Sequence, residues 1–507
     1  MKSGQSLLFF CSVLAGLVLL CVCFPSDGLP LVGNTRLRFP SLTEVLDKGS
    51  DCGEEGWEEE TDSLDEAPET PDLTPEELLQ MRQKALNAKQ IDEFRTYCSK
   101  DAARIYMPGD DETYLDGLWE MLLSAGARHV RIMHYGDSQI ECDRITSLLR
   151  QKFQEEFGGT GVGMVPALQT IPTFTLSSSI SPDDITQQLA YGPSHLRAED
   201  NFYGPLARVT HIPERATIRL TGTGGREYLL ARRFSRITVI TRRPATILLH
   251  TGRKEEEAQE MPLKDGDEPC FYTVALNKAV SSVTLDVEGE TDILGILLDG
   301  KTGVSMDNIP MRGSSGHELT TINRASLRPF FGHERVALVV LQFGGNSIPF
   351  LTRAKLHSFK ENVKRLIGMY HELAPQAKVL FIGPADMARN REDGELESYP
   401  ILPALCDSLR MAADEAGAAY WDMYAAMGGR GSMVRWVTAS PQLAGEDYIH
   451  FTPLGARKIA NLLYDTLRLY YRFYRIRTGL ENVELTAEDS AAAIAMPKDT
   501  ALQRHSQ

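Results

Sequence analysis

Basic residues are missing where acidic ones crowd. Residues 51–80 hold thirteen Asp or Glu and no Lys or Arg. The whole chain carries a formal −16, so setting those thirteen charges aside leaves −3 on everything else. The acidity belongs to one segment, and no basic stripe exists to bind nucleic acid. Cysteine pairing signals are lacking too. Cys11, Cys21 and Cys23 lie in an N-terminal apolar run, and Cys52, Cys98, Cys142, Cys270 and Cys406 are scattered without a C-x-x-C pair. That pattern is neither a disulfide framework nor a zinc site. The histidines show no H-x-x-x-H or H-E-x-x-H spacing, so no metal and no cofactor is expected. No internal repeat is visible. What is present is ordinary globular usage, 42% apolar and 24% charged over 507 residues. It suffices for one or two sizeable cores.

The chain ends read as accessories. Lys2 precedes an apolar run from Leu7 to Phe24, a positive start and a long hydrophobic stretch. Residues 1–28 are therefore expected to be a signal peptide or membrane anchor, placing the remainder outside the cytoplasm. Residues 29–99 read as an acidic linker and lead-in, punctuated by Pro68, Pro71 and Pro75. Like charges extend such a segment, and few apolar groups collapse it. Residues 481–507 read as a polar, disordered tail.

Between the ends two rhythms alternate. Val130–Met133, Val336–Leu341, Lys378–Ile382 and Ala418–Trp421 read as buried strands. Ile140–Phe157, Ala354–Leu373 and Pro403–Ala416 have helical spacing, and a last helix opens at Thr452-Pro453. Continuous apolar strands alternating with helices predict an α/β fold, a parallel sheet wrapped by helices. From 172 to 299 the helical period disappears. Seven short strands recur there instead: Ala207–Ile212, Ala216–Leu220, Arg236–Ile240, Ala245–His250, Phe271–Ala275, Ser282–Val287 and Ile293–Leu298. An inserted all-β sandwich is expected, dividing the α/β domain into residues 100–171 and 300–480.

Four short blocks fall at strand ends of the α/β part, where such sheets bind ligands. Ser138, in Gly136-Asp137-Ser138-Gln139, is placed as a nucleophile with its own N–H beside a helix start. Asp447 and His450, three apart, can present an oriented general base. Asn346, in Gly344-Gly345-Asn346, can donate to an oxyanion. Gly313, with Gly316 as the other choice, can bring a backbone N–H close to the reacting oxygen. Asp143 and Arg144 read as structural, His134 and His317 as packing or hydrogen-bonding residues, and Asp386 as a pocket-wall candidate.

Together and in this order, the blocks resemble those of the SGNH, or GDSL, hydrolases, whose fold is flavodoxin-like. The usual Leu after the serine is Gln139 here, and no G-x-S-x-G elbow occurs. The β-insert between the first two blocks resembles exported bacterial esterases that carry a carbohydrate-binding-like sandwich. In those, peptidoglycan or other polysaccharide O-acetyl groups are the substrate. The resemblance implies Ser138, Asp447 and His450 as catalytic residues, and Ser138, Gly313 and Asn346 as the oxyanion hole. It implies Gln139, with Arg435 and Trp436 of the Met427–Trp436 loop, as a candidate substrate pocket. The partner is an acylated carbohydrate, and the location is periplasmic or cell-envelope. The rival readings are a polysaccharide O-acetyltransferase using the same triad, a lipid or thioester acylhydrolase, and a non-catalytic carbohydrate-binding surface protein.

Overall fold

A computed structural model describes residues 29–30, 36–37, 74–100, 104–225, 227–251, 259–265 and 268–484. The N-terminal apolar run, most of the acidic segment and the tail beyond residue 484 lie outside these. Among the described residues no helix is long and apolar enough to cross a membrane.

Six strands form the central sheet: β1 (Ile105–Tyr106), β2 (His129–Gly136), β3 (Gly303–Pro310), β4 (Val336–Gln342), β5 (Lys378–Ile382) and β6 (Ala419–Trp421). Their spatial order is β3-β2-β4-β5-β6-β1. All neighbours run parallel except β1, which closes one edge antiparallel to β6. Chain direction across the sheet reverses between β2 and β4, so a ligand crevice opens there, beyond the carboxyl ends of the strands. The strands are unbroken apolar runs because both faces are covered. Met133, Tyr135, Val339, Leu341 and Phe381 point into one core; Ile132, Leu338, Val340, Leu380 and Ile382 point into the other. Helices α4 (Leu356–Leu373) and α5 (Leu402–Glu415) cover the first face. Helices α2 (Asp116–Leu123), α3 (Thr146–Phe157) and α6 (Pro453–Arg477) cover the second. The Thr452 hydroxyl caps α6 by accepting from Gly455 N–H at 3.2 Å, with Pro453 at the first helical position.

The inserted module is a sandwich of a seven-stranded and a five-stranded antiparallel sheet. All seven expected strands are present. Strand pairing begins earlier than residue 172, at Gly163–Val165, which pairs with Ile296–Leu298. The seven-stranded sheet shares its outer face with the α/β domain: Leu294, Leu297 and Phe271 join the core of β2 and β4, while Ile293, Ile296 and Leu298 fill the sandwich interior.

The incoming and outgoing connections of this module are zipped together by glycine. A Cβ on Gly159 would lie 2.4 Å from Val304 O, and one on Gly161 2.0 Å from Leu298 O. Only glycine allows that approach. Val304 N–H donates to Gly158 O and Gly300 N–H to Thr160 O, both at 2.8 Å.

A buried ion cluster sits at the same seam. Arg131 of β2 is fully buried. Its guanidinium bonds Asp299, Asp307 at 2.6 Å and Glu334 at 3.1 Å. Arg236 of the sandwich reaches Glu334 at 2.6 Å. Burial would raise the Glu334 carboxyl, but Arg131, His129, His333 and Arg236 outweigh it and hold it well below the ordinary range. For Asp307 burial wins and the carboxyl is raised, against Arg131.

Part of the stretch read as linker and lead-in is helical. α1 (Pro75–Lys100) opens on a capping box: Glu77 accepts from Thr74 N–H at 2.7 Å, and Thr74 Oγ1 accepts from Glu77 N–H at 3.3 Å. Pro75, read as punctuation, is the first helical residue. Phe94 of α1 stacks on Phe473 of α6 at 4.1 Å between centroids. Gln83 Nε2 donates to Val483 O at 2.8 Å, so the chain just past α6 is held too.

Candidate active site

β2 ends at Gly136 and delivers Asp137 and Ser138 to the crevice. The expected helix over Ile140–Phe157 is interrupted: Ser138–Asp143 is a 3-10 turn, with Glu141 and Cys142 outside helical geometry, and α3 starts only at Thr146. Asp137 caps the turn by accepting from Gln139 N–H at 2.9 Å. From the far end of the chain, the segment before α6 brings His450 to the serine. Ser138 Oγ and His450 Nε2 are 2.8 Å apart, and His450 Nδ1 and Asp447 Oδ2 are 2.7 Å apart. This is a continuous hydroxyl–imidazole–carboxylate relay. The three-residue spacing from Asp447 to His450 is set by a side-chain-closed turn, not by a helix. Asp447 Oδ1 accepts from the N–H groups of Ile449 and His450, both at 3.0 Å, and Tyr448 takes φ +56°. Burial would raise the Asp447 carboxyl; the backbone and imidazole of His450 and the N–H of Ile449 outweigh it and hold it below its ordinary value. The carboxylate therefore stays ionised and fixes Nδ1 as the donor.

Asn346 stands on the turn after β4. Its Nδ2 donates to Ser314 O at 2.9 Å, which ties the Gly313 loop to the pocket and leaves the second amide proton available. Ser138, Gln139, Asn346 and His450 line one cavity of about 210 Å³, together with Asp137, Pro349, Phe350, Met387 and Met423. Gly313 and Gly316 differ physically. Gly316 is packed, since a Cβ there would meet Phe343 at 2.8 Å, whereas Gly313, at φ +79°, has open space. Gly313 is not itself on the wall of the serine cavity.

The other candidates have structural partners. Gln139 Nε2 donates to Ile449 O at 2.5 Å, and Phe451 N–H points at its Oε1 from 3.5 Å. The side chain thus clamps both neighbours of His450, and Gln139 is a positioning residue as well as part of the wall. Arg435 is not brought to the serine: it donates to Arg430 O and Gly428 O, bracing its own glycine-rich loop. Trp436 is buried against Phe451, away from the cavity. Asp386 is also buried, accepting from Ser398 Oγ and Met433 N–H at 2.9 Å. Asp143 pairs with Arg150, and Arg144 donates to Glu141 O and Phe451 O. His317 bonds Ser315 Oγ. His134 lies between Gln342 and Thr146. Residues 129, 299 and 334 place His and carboxylate ligand atoms within 4.8 Å of one another, and the Arg131 cation already bonds both carboxylates there. Sequence reasoning missed Phe350 and the clamping role of Gln139. Neither had a local signal, since each is defined by segments distant in the chain.

Residues 282–458 match the GDSL-like lipase/acylhydrolase family. That span is similar to the family over about a third of the chain. The matched span contains Gly313, Asn346, Asp447 and His450 but begins inside the sandwich, so Ser138 lies upstream of it, across the insert. Among solved structures, a peptidoglycan O-acetylesterase is 18% identical with a TM-score of 0.57, covering 73% of this chain and 99% of its own. An acetyl xylan esterase is 16% identical with a TM-score of 0.26, covering 32% and 81%. A carbohydrate acetylesterase from Sinorhizobium meliloti is 13% identical with a TM-score of 0.23, covering 32% and 78%. No curated protein matches the chain.

Two predictions arise from the site. Gln139→Leu keeps the volume but removes the clamp on the His450 segment. A kcat about tenfold lower at little-changed KM is expected, as for a small misplacement of a catalytic base; unchanged kcat would remove Gln139 from the positioning role. The second concerns pH. Burial pushes the Asp137 carboxyl up to about 6, so the folded state holds a proton that the unfolded chain has released. Stability from this group is present below about pH 4 and is lost as pH rises through about 6, by roughly 3 kcal/mol. Burial pushes His134 down to about 4, which works oppositely: its contribution is present above about pH 6.5 and is lost as pH falls towards 4. Asp137→Asn should therefore stabilise the protein at pH 7 and lose that gain by pH 4, read from urea midpoints at both values. An equal gain at both pH values would contradict the buried-carboxyl account.

Proposed function

We propose that the chain is an exported serine esterase that removes O-acetyl groups from a carbohydrate polymer, with peptidoglycan first among the candidates. The observation that carries this is the unbroken Ser138–His450–Asp447 relay opening into a cavity of about 210 Å³. In this reading His450 Nε2 takes the proton as Ser138 Oγ bonds the acyl carbon. The oxyanion is met by Ser138 N–H and the free Asn346 amide proton, while Gly313, off the cavity wall, supports the loop whose Ser314 O holds Asn346. The bond from the acyl carbon to the sugar oxygen then breaks, and His450 returns the proton to the leaving hydroxyl. Water repeats the sequence and releases acetate.

Two features support the finer assignment. The cavity is small, about 210 Å³, which suits acetyl better than a long acyl chain. Phe350, 75% exposed at its rim, offers an aromatic face to the apolar side of a sugar ring. The fold likeness to the peptidoglycan O-acetylesterase spans 73% of the chain, more than the α/β domain alone contains. Export rests on the N-terminal apolar run and is tested by fractionating cells that produce the full chain.

Acetate release from O-acetylated peptidoglycan and O-acetylated plant polysaccharides tests the substrate class. Cleavage of 4-nitrophenyl acetate without acetate from any glycan would overturn the carbohydrate part. A preference for long acyl esters would overturn the acetyl part. Acetyl transfer to added glycan acceptors, in place of free acetate, would make the protein a transferase.

A further inference from the structure

A second cavity, of about 240 Å³, lies between the α/β domain and the sandwich, beside the catalytic turn. The turn that presents Ser138 to one pocket presents Glu141 and Cys142 to the other. Arg312 on its wall immediately precedes Gly313.

Its charges do not cancel. Glu141 pairs with Arg312. Asp143 pairs with Arg150 through two bonds of 2.7 and 3.1 Å. That leaves Arg208, contributed by the sandwich. Arg208 bonds only neutral oxygens, the Tyr191 hydroxyl and Pro310 O at 2.9 Å. Among the described residues it has no carboxylate within ion-pairing distance. A half-buried guanidinium held by neutral groups is a preformed fork for a carboxylate. Gln169 and Gln187 also line the wall, and the Oε1 of each is buried and accepts no hydrogen bond among the described residues. Leu189 and Leu206 supply apolar wall.

We propose that this cavity binds a carboxylate-bearing sugar residue of the polymer whose ester reaches Ser138, with Arg208 pairing the carboxylate. The link to an ester rests on the proposed function; the binding does not. The site would make the enzyme selective for acidic glycans through a module that carries none of the catalytic triad.

Calorimetry on the full chain tests it, with N-acetylmuramic acid against N-acetylglucosamine, which differ by one lactyl carboxylate. The acid is expected to bind roughly tenfold more tightly or better, the size of one charge-assisted pair. Arg208→Gln should abolish the preference and Arg208→Lys should keep part of it. Pro193→Glu, an exposed change on the cavity wall, should also cut the preference; it leaves the core intact and serves if the Arg208 variants do not fold. Equal binding of the two sugars, binding of neither at millimolar concentration, or a preference that survives in a folded Arg208→Gln protein would overturn the proposal. If the preference holds while no acetylated glycan is hydrolysed, the esterase assignment fails and this site stands.

Discussion

Ser138→Ala is expected to lower kcat on 4-nitrophenyl acetate on the order of 10³-fold or more, with KM nearly unchanged. Ser138 Oγ, His450 Nε2 and Asp447 form one relay with bonds of 2.8 and 2.7 Å, so its members work as a unit. His450→Ala should cost about as much as Ser138→Ala, and the double variant little more than either, because the second change removes a part that no longer has a partner. Activity remaining above water would come from Asn346 and the cavity walls. Labelling by a fluorophosphonate gives a second readout and should vanish with Ser138→Ala. Full activity in Ser138→Ala would end the serine mechanism. Additive losses in the double variant would mean that Ser138 and His450 act separately.

The largest stability effect is expected at Arg131. Replacing it with Ala leaves Asp299, Asp307 and Glu334 buried without the cation that bonds all three. Breaking a buried pair from one side typically costs 3–5 kcal/mol, since uncompensated charge stays inside. A loss of roughly that size is expected from urea unfolding at pH 7. Arg131→Lys should recover only part of it, because an ammonium cannot bond three carboxylates through a planar fork. The loss should shrink in acid, as the orphaned carboxyls take up protons. A loss below about 1 kcal/mol would show that Arg236 and His129 neutralise the cluster by themselves.

The same cluster explains what could be read from the chain and what could not. Strands β2, β4 and β5 were legible because both faces bury apolar residues, which leaves a continuous hydrophobic run. β3, Gly303–Pro310, stands at the sheet edge and is almost as buried, but was not legible. It carries Ser305 and Asp307, polar residues buried to serve Asp299 and Arg131. A strand that pays for a buried cation with its own side chains loses the apolar signature. α1 had a local signal, the Thr74–Glu77 capping box, but only Phe94 is fully buried along it, so no apolar stripe announced a helix. The contact of Ser138, His450 and Asp447 was legible because each part is local: a serine at a strand end, and Asp447 closing a turn onto His450. Arg435 and Trp436 were misplaced because only the fold shows that the first braces its own loop and the second packs on Phe451. The charge balance that singles out Arg208 is likewise invisible in sequence, since it depends on which acids reach which bases.

The glycine seam has a consequence for the order of assembly. β2 and β3 are neighbours in the sheet although the whole sandwich lies between them in sequence. Closing so long a loop from an open chain would delay the sheet. With Gly159 against Val304 and Gly161 against Leu298, a folded sandwich brings its two ends together, and the loop left to close shrinks to a few residues. Newly made chain should therefore complete the sandwich before β3 can dock beside the serine strand. The crevice at Ser138 would then be among the last parts of the molecule to take shape.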